Sequence, residues 1–242
     1  MDLIQVRRIC NMDPITAMIG IIIGGVIVGI CVHFIPASAV GAMSASTGIA
    51  TGPSMLSAGC GLAGLYAAGY SIKLGLPITV VSGALGSALM IICTMLLANT
   101  ICAFGTGVAP VAGTYEKDPI TGWRQKPFMS PGTDGHSMPT TTALSGIIGA
   151  LLGGGGGSLV FASTYGMLTE VTTIATSTII TIAGMIAAGV FLLNCVLPAY
   201  VLVGKTEGMT DPKMKKLPKT FVSCLVSSIF IGVFMYAAVV VI

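Results

Sequence analysis

The 242 residues carry few charges: Asp, Glu, Lys and Arg make up 8% of the chain, hydrophobic residues 54%, and mean hydropathy is +0.97. A water-soluble domain devotes about a quarter of its residues to charge. The composition therefore excludes a soluble enzyme and points to a chain whose solvent is largely lipid. The weak positive balance of +3 gives no reason to expect nucleic acid as a partner.

A helix needs roughly 20 mostly apolar residues to cross a hydrocarbon core about 30 Å thick. Six runs meet this in chain order: 15–35, 37–70, 77–104, 140–165, 171–203 and 220–242. The second is interrupted at Thr51-Gly52-Pro53-Ser54, which leaves a seventh span open. No run alternates with the period of two that a barrel requires. The predicted fold is all-α, a polytopic membrane bundle of about six transmembrane helices in one integral membrane domain, residues 1–242. The N-terminus is short and basic, but the first apolar run has full spanning length, so no cleavable signal peptide is expected.

The first run holds Gly20, Gly24, Gly25 and Gly29; the fourth holds Gly153, Gly154, Gly155, Gly156 and Gly157. Each glycine costs about 1 kcal/mol against alanine in a soluble helix. In lipid the backbone must still satisfy itself, so the tract is expected to stay helical and to let another backbone come very close. Ile19-Gly20 with Gly24-Gly25 echoes Ile148-Gly149 with Gly153-Gly154. Halves 12–104 and 140–242, joined by the polar loop 105–139, would then be three-helix repeats of inverted topology, an arrangement that commonly encloses a midplane site. Shared packing style explains the same echo.

Eight of the 11 basic residues fall in two polar segments, 105–139 and 204–219, each after an odd-numbered span. The excess of positive charge predicts that both segments are cytoplasmic. The first concentrates Trp123, Arg124, Asp134 and His136 among turn signals, as a partner-docking loop would. The cysteines have no Cys-x-x-Cys pair and read as buried thiols. No catalytic constellation, phosphate loop or metal cluster is evident, and none is expected in this chain. The polar candidates are intramembrane ones. Glu170 is the acid between the fourth and fifth runs and precedes Thr172, Thr173, Thr176, Ser177 and Thr178, oxygen groups that suit a hard cation. It equally suits the cap of a following helix. Asn99 and Asn194 read as helix-interface amides or ion-path groups. His33, before Phe34-Ile35-Pro36, reads as an interfacial residue or a proton relay.

Several segments resemble those of one family, the D subunits of tetrahydromethanopterin S-methyltransferase. They are Val32-His33-Phe34-Ile35-Pro36, Asp118-Pro119-Ile120-Thr121, Ser130-Pro131-Gly132-Thr133-Asp134-Gly135-His136-Ser137-Met138-Pro139-Thr140, and Ser145-Gly146-Ile147-Ile148-Gly149 before the glycine tract. The resemblance runs from about Met12 to the C-terminus, and residues 1–11 stand as an extension. It implies a membrane subunit of a methanogen complex that moves a methyl group from methyl-tetrahydromethanopterin to coenzyme M and exports Na⁺. It further implies that a corrinoid carries the methyl on another subunit, that no cofactor binds this chain, and that the partners are sister membrane subunits, the corrinoid-bearing and methyltransferase subunits, and lipid. A stand-alone inverted-repeat transporter and a structural scaffold fit the hydropathy as well.

Overall fold

The computed structural model describes residues 12–36, 51–103, 116–125, 140–201 and 212–240. Six long helices occupy them: α1 Pro14–Cys31, α2 Thr51–Ser71, α3 Leu76–Ala103, α4 Thr140–Val171, α5 Thr176–Val201 and α6 Leu217–Val240. Five of these, all but α2, are long and apolar enough to cross a membrane, and the described residues contain no named strand. The second hydrophobic run gives one described helix, beginning at the Thr51 break; residues 37–50 lie outside the description.

Local chemistry sets the helix ends. The Asp13 carboxylate accepts from the Ile15 and Thr16 amides at 3.2 and 3.3 Å, and Pro14 occupies the first turn, where its missing N–H costs nothing. A short 3₁₀ turn, Ile72–Leu74, closes α2, and Gly75 at φ 99° reverses the chain into α3. The fourth helix continues past Tyr165 to Val171, because Gly166, Met167, Leu168 and Thr169 remain buried. The fifth accordingly starts at Thr176 rather than Val171.

The centre of the bundle is α4. It packs against α1, α2, α3 and α5, and 61% of its spanning window is buried, against 22% for α6. The peripheral helices turn Phe230, Phe234, Leu89, Leu97 and Met185 outward as exposed apolar surface.

Close approach at glycines fixes the packing. A Cβ on Gly24 would lie 2.5 Å from the Gly156 carbonyl oxygen, and one on Gly156 would lie 2.7 Å from that of Gly24. Gly20 meets Ser163, Gly24 meets Val160, Gly153 meets Cys31 and Gly149 meets Phe34, so α1 and α4 run antiparallel. These contacts also form matched pairs. One constant shift in numbering carries Gly20, Gly24, Ile27, Cys31 and Phe34 of the first half onto Gly149, Gly153, Gly156, Val160 and Ser163. Under it Gly20–Ser163 becomes Gly149–Phe34, Gly24–Val160 becomes Gly153–Cys31, and the Ile27–Gly156 contact maps onto itself.

The flanking helices obey the same exchange. Gly25 against Ser228 on α6 answers to Gly154 against Ser87 on α3, and Gly29 against Cys224 answers to Ser158 against Gly83. Between α2 and α5, Gly61 against Phe191 maps onto itself, and Asn194 beside Gly25 answers to Gly64 beside Gly154. The described helices thus pack as two three-helix units of opposite direction, about an axis passing close to Ile27 and Gly156.

Candidate functional site

A buried polar array lies where α1, α5 and α6 meet. Thr220, Cys224 and Ser228 recur every fourth residue on α6, one face of the helix. Opposite them α1 offers Gly25 and Gly29, then His33 in the turn that follows. The absent side chains leave room for polar groups from α5. There Asn194 Nδ2 donates to the Gly25 carbonyl at 2.9 Å and to Ser228 Oγ at 3.0 Å. Cys224 Sγ donates to the Asn194 carbonyl at 3.8 Å. Nearer the end of the bundle, Thr220 Oγ1 and His33 Nε2 are 3.3 Å apart. His33, Asn194, Thr220, Cys224 and Ser228 are each fully buried.

This makes a polar thread about 12 Å long on α6, at 1.5 Å per residue. It carries no Asp, Glu, Lys or Arg. Asn194 Oδ1 is buried with no hydrogen-bond partner. The thread can offer neutral oxygen to a small guest; it holds no nucleophile paired with a base. Among the described residues no three His, Cys, Asp or Glu side chains converge as a metal site.

The other sequence candidates fall elsewhere. Glu170 is exposed in the last turn of α4, and α5 begins only at Thr176. The expectation that it caps a following helix is thereby corrected: it sits at a C-terminus, where the macrodipole disfavours a carboxylate. The Thr172 hydroxyl bonds back to the Leu168 carbonyl at 2.6 Å, four residues behind it. His33, expected at the membrane interface, lies in the turn that follows α1 and is buried against α6. Asn99 lies on α3 with its side chain outside the described residues, as are Asp134 and His136. Trp123 and Arg124 are exposed. Of the glycine tract, Gly153, Gly154, Gly156 and Gly157 face neighbours closely, whereas a Cβ on Gly155 would make ordinary contacts at 3.8 and 3.9 Å. Cys31, Cys60, Cys195 and Cys224 are free and buried, and Cys93 is free and exposed.

A second polar centre is not apparent from the sequence. Residues 116–125 form a small hairpin, with Lys117 bridged to Arg124 and Gly122 at φ 72° in the turn. Inside it, Asp118 accepts from the Ile120 and Thr121 amides at 2.8 and 3.1 Å. It also accepts from the Thr140 amide at 2.6 Å and the Thr140 hydroxyl at 2.5 Å. It therefore caps α4 from 22 residues away. Burial works against its charge, yet the Thr140, Thr121 and Ile120 donors prevail and bring the carboxyl down to about 2. A third feature, an apolar groove of about 590 Å³ between α2 and α5, is lined by residues such as Leu62, Tyr66, Tyr70, Phe161 and Met185.

The architecture and its buried, charge-free polar thread define a polytopic helical membrane protein built from two inverted units. The match to known proteins is specific. Residues 14–228 match the family described as the D subunit of tetrahydromethanopterin S-methyltransferase. The chain is 39% identical to the D subunit of Methanosarcina mazei, over 92% of this chain and 93% of that one. It is 40% identical to that of Methanopyrus kandleri, over 93% and 97%, and 39% identical to that of Methanocaldococcus jannaschii, over 92% and 97%. The chain belongs to this family of tetrahydromethanopterin S-methyltransferase D subunits, and so is a component of a methyltransferase complex.

Proposed function

We propose that this chain forms part of the ion-translocating membrane sector of the complex. Methyl transfer from methyl-tetrahydromethanopterin to coenzyme M, by way of a corrinoid on another subunit, would drive Na⁺ out of the cell. The observation that carries this reading is the buried polar thread ending at the unpartnered Asn194 oxygen. An unsatisfied amide oxygen in hydrocarbon is costly, and a cation that took its lone pairs would offset that cost. The paired, inverted units support the same reading, because that architecture recurs where an ion is passed between two faces. Coupling requires that the moving partner and the ion each favour one of two arrangements of the helices. The hairpin at 116–125, with Trp123 and Arg124 exposed, is the surface on which a cytoplasmic partner would act. Sister membrane subunits and lipid would cover the outward apolar faces.

The test is Na⁺ uptake into inverted membrane vesicles during methyl transfer. Depleting this chain should abolish uptake, while the soluble half-reactions of the other subunits persist. Unchanged uptake without this chain would overturn the proposal.

Orientation is a separate expectation. Lys117, Arg124, Lys215, Lys216 and Lys219 all lie toward the end of the bundle where His33 meets Thr220, and Lys73 lies in the α2–α3 turn at the other. That bias assigns the richer end to the cytoplasm. Trp123→Cys and Met214→Cys should resist a membrane-impermeant maleimide in sealed cells and react after lysis. Labelling in sealed cells would reverse the orientation.

A further inference from the structure

The two units are alike in shape and unlike in chemistry where their helices meet. The exchange that relates them sets Asn194 against Gly64, Cys224 against Gly83 and His33 against Ala162. It sets Ser228 against Ser87 and Thr220 against Thr79. In the first-half junction Ser87 and Thr79 are satisfied locally, while Ser158 Oγ beside Gly83 is a buried hydroxyl without a partner. Ser87 donates to the Cys60 carbonyl at 2.6 Å, and Thr79 donates to the Gly75 carbonyl at 2.8 Å. The junction there closes glycine on backbone, with Gly64 against Gly154 and Gly83. The fold therefore packs this junction without an amide. Asn194 is an addition to one unit, and its Oδ1 is left without a partner in a fully buried position.

The thread is also one-ended. Beyond Ser228 the next turn of α6 places Gly232 against Ile22 and Met18, and Met235 then joins the apolar cluster around Ala17 and Ile21. The polar groups run inward from the His33–Thr220 end and stop near the middle of α6. Lys215 and Lys219 near that end are exposed, where salt screens them over about 8 Å. The thread itself holds amide, hydroxyl, thiol and imidazole groups and no carboxylate. Neutral oxygens suit a singly charged ion; a divalent one takes carboxylates.

We infer that Asn194 Oδ1 is the innermost ligand of a one-ended uptake path for a small monovalent cation, entered between His33 and Thr220, with Ser228 Oγ beside it. This rests on the ion-translocating reading above and places its intake in this chain, in the unit that departs from its repeat.

Two measurements on the purified whole complex test it. The first is equilibrium binding of ²²Na⁺ to the resting complex in detergent. Asn194→Leu should remove one Na⁺ per copy of this chain, and Asn194→Asp, which adds a charge, should tighten binding at least threefold. The second is the Na⁺ concentration that half-saturates methyl-transfer-driven uptake in reconstituted vesicles. Asn194→Asp should lower it, and Ser228→Ala should raise it at least threefold. Should Asn194→Leu not assemble, the other two variants carry both measurements. Wild-type binding and half-saturation in assembled Asn194→Asp and Ser228→Ala complexes would overturn the assignment while leaving Na⁺ translocation intact. Binding that responds to Asn194, in a complex that moves no Na⁺, would sustain the site and refute the translocation reading.

Discussion

Replacing Gly24 by leucine is expected to reduce recovery of assembled complex at least tenfold, as measured by affinity purification through a sister subunit. A Cβ on Gly24 would stand 2.5 Å from the Gly156 carbonyl oxygen and 2.8 Å from Val160 Cγ2. The first of these is backbone of the central helix, which cannot swing aside as a side chain does. Overpacking a core ordinarily costs about 1–3 kcal/mol. Here the added carbon also forces α1 from α4, the helix that touches all five other described long helices. Helices in lipid are held by close packing rather than by a hydrophobic drive, so a separated seam is not recovered elsewhere. The internal comparison is Gly155→Ala, at the glycine of the tract with ordinary clearance, and it should assemble at the wild-type level. Normal recovery of Gly24→Leu would show that the α1–α4 seam is not what holds the bundle.

How far such a seam could be read in advance follows from the range of each interaction. Spanning helices are local, set by twenty or so consecutive apolar residues, and the hydropathy runs located all six described ones. Their ends shifted where local chemistry beyond hydropathy acts, as at Val171 and Thr176. The glycine echo of Gly20, Gly24 and Gly25 with Gly149, Gly153 and Gly154 carried part of the repeat. Composition could not tell it from a common packing style; contacts such as Gly25–Ser228 and Gly154–Ser87 could. The polar thread was less accessible. Asn194 was recognisable as an intramembrane amide, but Gly25, Asn194 and Ser228 converge only in three dimensions. Thr220, Cys224 and Ser228 are ordinary small residues in sequence, and their common face acquires meaning from the glycines of α1. Glu170 stands out in the sequence because acids are rare in an apolar chain. Its exposure and its place at a helix C-terminus depend on where α4 stops, which the apolar run did not fix.

Asp118 shows the same limit, and its removal is the second large expected effect. Its carboxylate accepts four hydrogen bonds, two within the hairpin and two from Thr140 at the start of α4. Asp118-Pro119 reads in sequence as a turn, and its tie to Thr140 is invisible there because 22 residues intervene. Hydrogen bonds to a charged acceptor are worth about 1.5–3 kcal/mol each when buried, and the positive end of a helix favours the charge further. Asp118→Ala should therefore free the hairpin and fray the first turn of α4. Hydrogen exchange at the Thr140, Ile120 and Thr121 amides should accelerate at least tenfold. Asp118→Asn should have a smaller effect, since one amide oxygen remains to accept. Acid should imitate the substitution. The free carboxyl titrates at about 3.9 and the folded one at about 2. Its stabilisation is thus complete above about pH 4 and declines as pH falls through that interval toward 2. The protection of the Thr140 amide, its exchange relative to an unstructured amide at the same pH, should fall over the same range in the wild type and be flat in Asp118→Ala. A wild-type profile flat down to pH 2 would mean that the hairpin is held to α4 by something other than this carboxylate.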